Sequence, residues 1–334
     1  MAVMGGLLSG QAPLRGRAGL ELLIHPFGYR DAARFWGISG PRLAVLVHSV
    51  VGGTPAYRRE FVREDTPSGV ADFDAWVIRT VLNPQTSLFR EARYLLAEET
   101  EIRDPSLYHS VLAAVAEGNA TSGGIANYIG RKSNEVAHPL RVLEDRRLLI
   151  KEPDLFRSGR AKYRIAEPLI TFSQAIMSRD WARLELGNGA AVWPGARPRF
   201  LSQVAGPYFE AICREYAIAA GPEVFGGLPG EVGSGVVSDS ANRAQIEIDV
   251  AVLAPAEPGR PRRVLSLGEA KWDQVMDLRH AERLRRARDL LAVKGFDTRN
   301  TLLSCDSGAG FHPELQTAQD DGIHLVGLER LYAG

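Results

Sequence analysis

The chain contains few cysteines and no long apolar run. Its 334 residues include two cysteines, Cys213 and Cys305, which lie far apart in the sequence. This spacing indicates neither a disulfide framework nor a zinc site. No stretch approaches the roughly 20 apolar residues of a membrane span. Residues 1–14 lack the basic start and the longer apolar run of a signal peptide. We therefore expect a cytoplasmic protein with no membrane partner.

The chain also lacks net charge and is poor in lysine. It has 40 basic and 40 acidic residues and a formal net charge of zero, so nucleic acid could be attracted only by local patches. Only five of the 40 basic residues are lysines. A lysine placed beside carboxylates is therefore unusual for this chain. The length and the hydrophobic content of 45% predict a folded protein of two or three domains.

One such lysine stands in a pair of apolar segments, 246–253 and 264–272. Both have the character of β-strands, and the Pro/Gly/Arg-rich stretch 254–263 between them is typical of a hairpin loop. Glu269 and Lys271 are two residues apart and point to one face, and a paired strand could bring Asp249 beside them. Oxygen ligands of this kind suit Mg²⁺. The alternative is a buried, salt-bridged strand end without chemistry.

The rest of the chain divides by pattern. Residues 15–103 predict short helices and no sheet, namely 30–36, 43–51, 73–82 and 88–99. In residues 104–168, a helix over 107–117 with Asp104 as its N-cap is followed by helices 121–130 and 134–147 and by strands 148–152 and 161–165. Three helices and a two-stranded wing indicate a winged helix-turn-helix. A helical connector, 169–200, ends in the Pro/Arg-rich stretch 193–199, a candidate domain boundary. Residues 201–334 predict an α/β domain with helices 206–219 and 279–294 and further strands 300–305 and 322–328.

The predicted winged helix carries a set of polar and basic residues that suit DNA. The third helix would enter the major groove with its first turns, and the wing would neutralise phosphates. The candidates on or just before the helix are Arg131, Lys132, Ser133, Asn134 and His138, and those of the wing are Arg157, Arg160 and Lys162. Winged helices also serve as protein-interaction or hinge modules, and the pattern does not separate these roles.

Taken together, these segments resemble the C-terminal two-thirds of the archaeal-type P-loop ATPases of the STAND class, over nearly the whole chain. Residues 12–17 are similar to the segment after that family's sensor strand, and residues 51–57, with Gly52, Gly53 and Pro55, to a motif of its helical lid. The resemblance implies a winged helix followed by a restriction-endonuclease-like domain of the PD-(D/E)xK type. It assigns catalysis to Asp249, Glu269, Lys271 and Glu210, and metal binding to the three carboxylates among them.

The chain departs from this family at the nucleotide site. A Walker A loop requires a Gly–Lys pair, and none occurs in this sequence. Walker B is missing as well. We therefore expect a family member without its ATPase core, unable to hydrolyse ATP alone. Arg15, Arg17 and Pro55 are either remnants of the nucleotide site or ordinary surface arginines and a turn proline. The resulting domains are a lid-like remnant (1–103), a winged helix (104–168), a connector (169–200) and a nuclease-like domain (201–334).

Two functions follow from the sequence. The first is a DNA-binding protein with a nuclease-like, Mg²⁺-dependent phosphodiesterase domain. The second is a non-enzymatic effector that binds DNA or protein, as part of a STAND-type ATPase whose core is missing or supplied separately. A lid without its core should expose apolar surface, so this second function predicts a partner chain or self-association.

Overall fold

The N-terminal part of the molecule is helical. The computed structural model describes residues 22, 24–97, 105–318 and 322–333. The first helices are α1 (Tyr29–Trp36), α2 (Pro41–Val51), α3 (Phe73–Arg79) and α4 (Leu88–Ala97), with a π-helical turn at Tyr57–Phe61 and a 3₁₀ turn at Val70–Asp72. Helix α2 is buried from Leu43 to Val51, as expected of a helix that is apolar on all sides. Helix α3 ends at Arg79 rather than at the predicted residue 82. Residues 98 and 99 of the fourth predicted helix lie outside the described residues.

Three helices and a hairpin follow. They are α5 (Pro105–Ala116), α6 (Ser122–Tyr128), α7 (Ser133–Asp145), β1 (Leu149–Pro153) and β2 (Ala161–Ile165). The two strands are antiparallel, and Leu149 lies opposite Ile165. Thr121 begins α6 by accepting a hydrogen bond from Gly124 N at 3.1 Å. Lys132 is the N-cap of α7, and its amide donates to the Glu135 carboxylate at 2.8 Å. Asp104, the predicted N-cap of α5, lies outside the described residues.

A second helical stretch leads to the large sheet. It comprises α8 (Pro168–Phe172), α9 (Trp181–Glu185), α10 (Gly189–Phe200), α11 (Gly206–Ala219) and α12 (Pro222–Phe225), with π-helical turns at Ser173–Met177 and Leu201–Ala205 and a 3₁₀ turn at Ser178–Asp180. The Pro/Arg-rich stretch 193–199 is helical, since Pro194 and Pro198 lie inside α10. Packing overrides the prolines: the buried Trp193 contacts the rings of Phe172 and Phe200, with centroids 6.1 and 5.4 Å away.

The C-terminal part is built on a five-stranded mixed sheet in the order β3-β4-β5-β6-β7. Its elements are β3 (Glu231–Asp239), β4 (Ala244–Leu253), β5 (Val264–Lys271), α13 (Leu278–Val293), β6 (Leu302–Ser307), α14 (Pro313–Thr317), β7 (Ile323–Gly327) and α15 (Leu328–Tyr332). Strands β3, β4 and β5 are antiparallel, whereas β5, β6 and β7 are parallel. Helix α11 packs on one face of this sheet and α13 on the other. The chain is thus a mixed α and β protein.

One apolar core joins these parts. It extends from α1 through the three-helix unit to the α11 face of the sheet, where it includes Val250, Val252, Ala270 and Trp272. A second core lies between the other face of the sheet and α13. The N-terminal helices therefore complete their core against the rest of the molecule. Among the described residues, no helix is both long enough and apolar enough to cross a bilayer.

Candidate active site and neighbouring basic surface

A β-bulge in β4 places Asp249. Gly233 of β3 pairs with Ala251 and Gly235 with Ile248, so two steps along β3 correspond to three along β4. Such an extra residue bends a strand and redirects a side chain. The carboxylate of Asp249 consequently reaches the end of β5, where its Oδ2 accepts a hydrogen bond from Ala270 N at 3.0 Å. Asp249 is 6% exposed, so this contact lies within the protein.

The ammonium of Lys271 connects the two predicted carboxylates. Its Nζ lies 3.1 Å from Glu269 Oε1 and 3.4 Å from Asp249 Oδ2. It also donates to the carbonyl oxygen of Ala270 at 3.3 Å. The structure therefore brings Asp249, Glu269 and Lys271 together at the end of β5, with three oxygen atoms around one cation.

Glu269 is the most deeply buried member of this group. Its side chain is 1% exposed, and neither carboxylate oxygen has a hydrogen bond of good geometry. The compensating charges are Lys271 and Arg283, whose Nη1 lies 3.5 Å from Glu269 Oε1. A buried carboxylate held by ion pairs but without hydrogen bonds is costly.

Burial and the neighbouring charges shift the pKa values of Asp249 and Lys271 in opposite directions. Burial raises the pKa of Asp249 above its ordinary value, and the Lys271 ammonium only partly offsets this effect. Burial lowers the pKa of Lys271, but the Asp249 and Glu269 carboxylates outweigh it, so the net pKa is raised. Lys271 therefore remains charged and holds the two carboxylates together.

Glu210, the fourth predicted residue, approaches from helix α11. With Asp249, Glu247 and Arg214 it lines a cleft of about 240 Å³ between α11, β4 and the β1–β2 hairpin. Its side chain is 36% exposed, and Arg214 Nη1 lies 3.9 Å from Glu210 Oε2. Burial, followed by the nearby Asp249 carboxylate, raises the pKa of Glu210 to about 7. Such a carboxyl group could take up or release a proton near neutral pH.

The oxygen atoms around Lys271 fit magnesium in chemical kind. Two carboxylates and a backbone carbonyl are hard oxygen donors, the type that Mg²⁺ prefers. Neither Glu269 oxygen has a hydrogen bond, but Oε1 already lies 3.1 Å from Lys271 Nζ and 3.5 Å from Arg283 Nη1, so a metal ion there would displace these cations. Glu210 does not complete a three-carboxylate set, because within the part of the chain that the structure describes no three His, Cys, Asp or Glu side chains lie at metal-ligand spacing. Asp249, Glu269 and the Ala270 carbonyl are therefore the fitting donors.

The predicted base-reading residues share one exposed surface at the start of α7. Arg131, Lys132, Ser133, Asn134 and His138 are all exposed, while Val136, Leu140 and Leu143 of the same helix are buried. Among the described residues, an ion pair between Arg131 Nη1 and Glu135 Oε1 at 3.5 Å lies on this surface. These side chains can therefore reach a ligand without repacking the core.

The predicted wing residues are placed differently. Arg160 is exposed, but Arg157 forms an ion pair with Asp154 at 2.9 Å, and Lys162 forms one with Glu247 of β4. These two pairs neutralise charges that the sequence assigned to DNA phosphates. The hairpin thus faces the large sheet rather than open solvent.

Of the three predicted nucleotide-site remnants, Pro55 alone lies among the described residues. Arg15 and Arg17 lie outside those residues, and Pro55 is exposed before the turn at 57–61. The paired glycines have a packing role instead. Gly52 has φ +60° and packs against Pro168, and a Cβ at Gly53 would lie 2.0 Å from Phe27 O.

Two residues near the site were not singled out by the sequence. Arg283 reaches Glu269 from α13, but nothing distinguished it from the other arginines of that helix. Asp306 is 4% exposed on β6, next to Ala270 of β5, and Ser304 Oγ donates to it at 2.5 Å. Burial raises the pKa of Asp306 to about 7. The sequence feature that could have identified Asp306 is its position directly after the predicted strand 300–305.

Comparison with known proteins gives a limited likeness. The chain is 25% identical over 169 residues to the uncharacterized protein MJECL04 of Methanocaldococcus jannaschii. The match covers 50% of this chain and 36% of that protein, so the chain matches about a third of the length of this relative. No family model and no solved structure matches the chain. This likeness assigns neither a family nor an activity to the chain.

Proposed function

We propose that the protein binds DNA through a winged helix and carries a nuclease-like, metal-dependent phosphodiesterase site on the large sheet. Helices α5, α6 and α7 with the β1–β2 hairpin would form the winged helix. The five-stranded sheet with α11 and α13 would form a restriction-endonuclease-like domain. The observation that carries the proposal is the buried Glu269, which lacks hydrogen bonds and shares one ammonium with Asp249.

Each residue has a defined role in this proposal. Asp249 and Glu269, with the Ala270 carbonyl, would hold Mg²⁺. When bound, Mg²⁺ supplies polarisation of a phosphate and a lowered pKa of water. Lys271, released from the carboxylates, would stabilise negative charge that develops on the phosphate oxygens. Glu210, whose pKa is about 7, would take up or release a proton at the cleft.

The test is cleavage of labelled double- and single-stranded DNA with Mg²⁺ or Mn²⁺. We expect cutting that requires the metal and falls at least about 100-fold in Lys271→Ala and in Asp249→Asn. Lys294→Ala is the matched control, because Lys294 is exposed at the end of α13 and far from the chemistry. Cutting that persists in Asp249→Asn would contradict the assignment.

A second function is favoured by a different observation. The Lys271 ammonium and the Arg283 guanidinium already compensate the two carboxylates, and no three His, Cys, Asp or Glu side chains within the described residues lie at metal-ligand spacing. The same group could therefore be structural, in a non-enzymatic effector of a STAND-type ATPase whose core is supplied separately. Salt-sensitive DNA binding without cutting, together with binding to a separately purified ATPase core of that class, would support it. A monomer with no affinity for such a core would contradict it.

A further inference from the structure

The loop between β1 and β2 is docked on the edge of the large sheet. Leu155 N donates to Ser234 O at 3.1 Å, and Asp154 Oδ1 accepts from Val236 N at 3.3 Å. The ring of Phe156 packs against Phe296, with centroids 5.7 Å apart, beside the core on the α13 side. The loop therefore covers the outer edge of β3. Without the loop, this edge would present unpaired backbone groups to solvent.

Strand β3 has no side chain where this loop rests. A Cβ at Gly235 would lie 2.5 Å from Phe156 Cδ2 and 3.1 Å from Asp154 Oδ1. A Cβ at Gly233 would lie 3.3 Å from Leu155. Neither glycine has a positive φ. The contact therefore requires glycine because a side chain would collide with the loop, and not because of the backbone conformation. The loop and strand β3 therefore have complementary shapes at this contact.

Docking has two consequences for the proposed DNA-binding site. It pairs Lys162 with Glu247, so that the Lys162 ammonium is not available to bind a DNA phosphate. It also places Lys162 and Arg164 along the cleft that leads to Asp249 and Glu210. At about 240 Å³ this cleft is smaller than most small-molecule sites, and a nucleic-acid duplex cannot enter it.

We propose that loop 154–156 is a latch that keeps the protein in a closed, autoinhibited state. When the latch is docked, the hairpin covers the cleft and Lys162 is held by Glu247. When it is released, Lys162 becomes available to duplex DNA and the cleft opens, whereas Arg157 keeps its partner Asp154 on the same loop. DNA phosphates are the competitor, because they and the Glu247 carboxylate bind the same ammonium. This inference rests on the proposed DNA-binding function.

The test opens the latch without touching the DNA-binding residues. Gly235→Val places a branched side chain against Phe156, and Phe156→Ala removes the anchor from the other side, should the first variant not fold. Ser238→Val is the matched control on the same strand, away from the loop. We expect amide hydrogen exchange over residues 149–165 to rise at least about tenfold in both latch variants and not in the control. We expect their affinity for duplex DNA to rise about tenfold at fixed salt, with a steeper salt dependence.

A reversible lock provides the opposite perturbation. Leu155→Cys with Ser234→Cys joins two positions whose backbones are hydrogen-bonded, and Cys213 and Cys305 are buried and do not interfere. The oxidised protein should bind duplex DNA about tenfold more weakly than the same protein reduced.

The outcomes separate the inference from the function. A hairpin that exchanges fast while DNA affinity stays unchanged overturns the latch and leaves DNA binding in place. Unchanged exchange in both latch variants also overturns it. If neither the closed nor the opened protein binds duplex DNA, the proposed function fails, and the latch fails with it.

Discussion

Replacing Lys271 by methionine should destabilise the protein strongly, because two buried carboxylates share its ammonium. Removing one partner of a buried ion pair costs about 3–5 kcal/mol. The Lys271 side chain is 29% exposed, and Arg283 remains 3.5 Å from Glu269. Both facts place the expected loss of unfolding free energy at the lower end of this range, about 3 kcal/mol. Methionine keeps the length of the side chain, so lost packing adds little.

The assay is urea unfolding followed by tryptophan fluorescence, since Trp272 is buried directly after Lys271. Lys151→Met is the control, because Lys151 is exposed on β1. Lys271→Met combined with Asp249→Asn should recover much of the loss, since Asp249 is the carboxylate left without a cation, whereas Glu269 keeps Arg283. A single variant within about 1 kcal/mol of wild type, or a double variant without recovery, would refute the reasoning.

The loss should also depend on pH. Burial already raises the pKa of Asp249, and removing the Lys271 ammonium raises it further. A carboxyl group whose pKa is higher in the folded state stabilises the fold at low pH, and this stabilisation is lost as pH rises through the folded pKa. The cost of Lys271→Met should therefore be larger at pH 8 than at pH 5. Equal costs at both pH values would show that Asp249 is not coupled to the lysine.

Three further outcomes follow from single residues. Burial raises the pKa of Asp306 from 3.8 to about 7, equivalent to about 4 kcal/mol of stability lost between pH 4 and pH 7. Asp306→Asn should remove this part of the pH dependence of Tm, and an unchanged pH profile would contradict it. Arg42 lies 4.8 Å over the Trp272 ring and donates to Gly308 O at 2.9 Å, so Arg42→Ala should cost about 1–2 kcal/mol in urea unfolding, and no loss would mean that this contact is not formed. Arg131→Ala should weaken duplex binding and lower the slope of log K against log salt by about one, whereas an unchanged slope would exclude a phosphate contact.

Local pattern was enough to predict much of the fold. Helix α7 and strand β5 carry their own signals, helical spacing of Val136, Leu140 and Leu143 and a continuous apolar run, and both elements are present close to the predicted bounds. The same reasoning predicted that Asp249, Glu269 and Lys271 lie close together. Glu269 and Lys271 are two residues apart on β5 and share a face, and Asp249 lies on the adjacent strand. What the trio does chemically stays a prediction.

Contacts between distant segments account for what the sequence did not predict. Strand β3 was missed because Gly233 and Gly235 weaken its strand pattern, and the reason for both glycines is a loop about 80 residues away in the sequence. The bulge at Asp249 depends on that same pairing of β3 with β4. Helix α10 contains two prolines that local rules treat as a break, and buried aromatic contacts of Trp193 keep it continuous.

The charges along the cleft constrain how any nucleic acid could reach the site. Its lining holds three cationic and four acidic side chains, namely Lys162, Arg164 and Arg214 against Glu152, Glu210, Glu247 and Asp249. A polyanion gains little from such a surface. Under the proposed function, binding energy for DNA would therefore come first from the exposed start of α7, outside the cleft. The approach of a phosphate to Asp249 then requires that the carboxylates lose charge, by protonation of Glu210, by a divalent cation, or by both. A protein that binds DNA equally well with and without Mg²⁺ but cuts only with Mg²⁺ would show this order of events. Tight binding that needs Mg²⁺ would instead place the first contact inside the cleft.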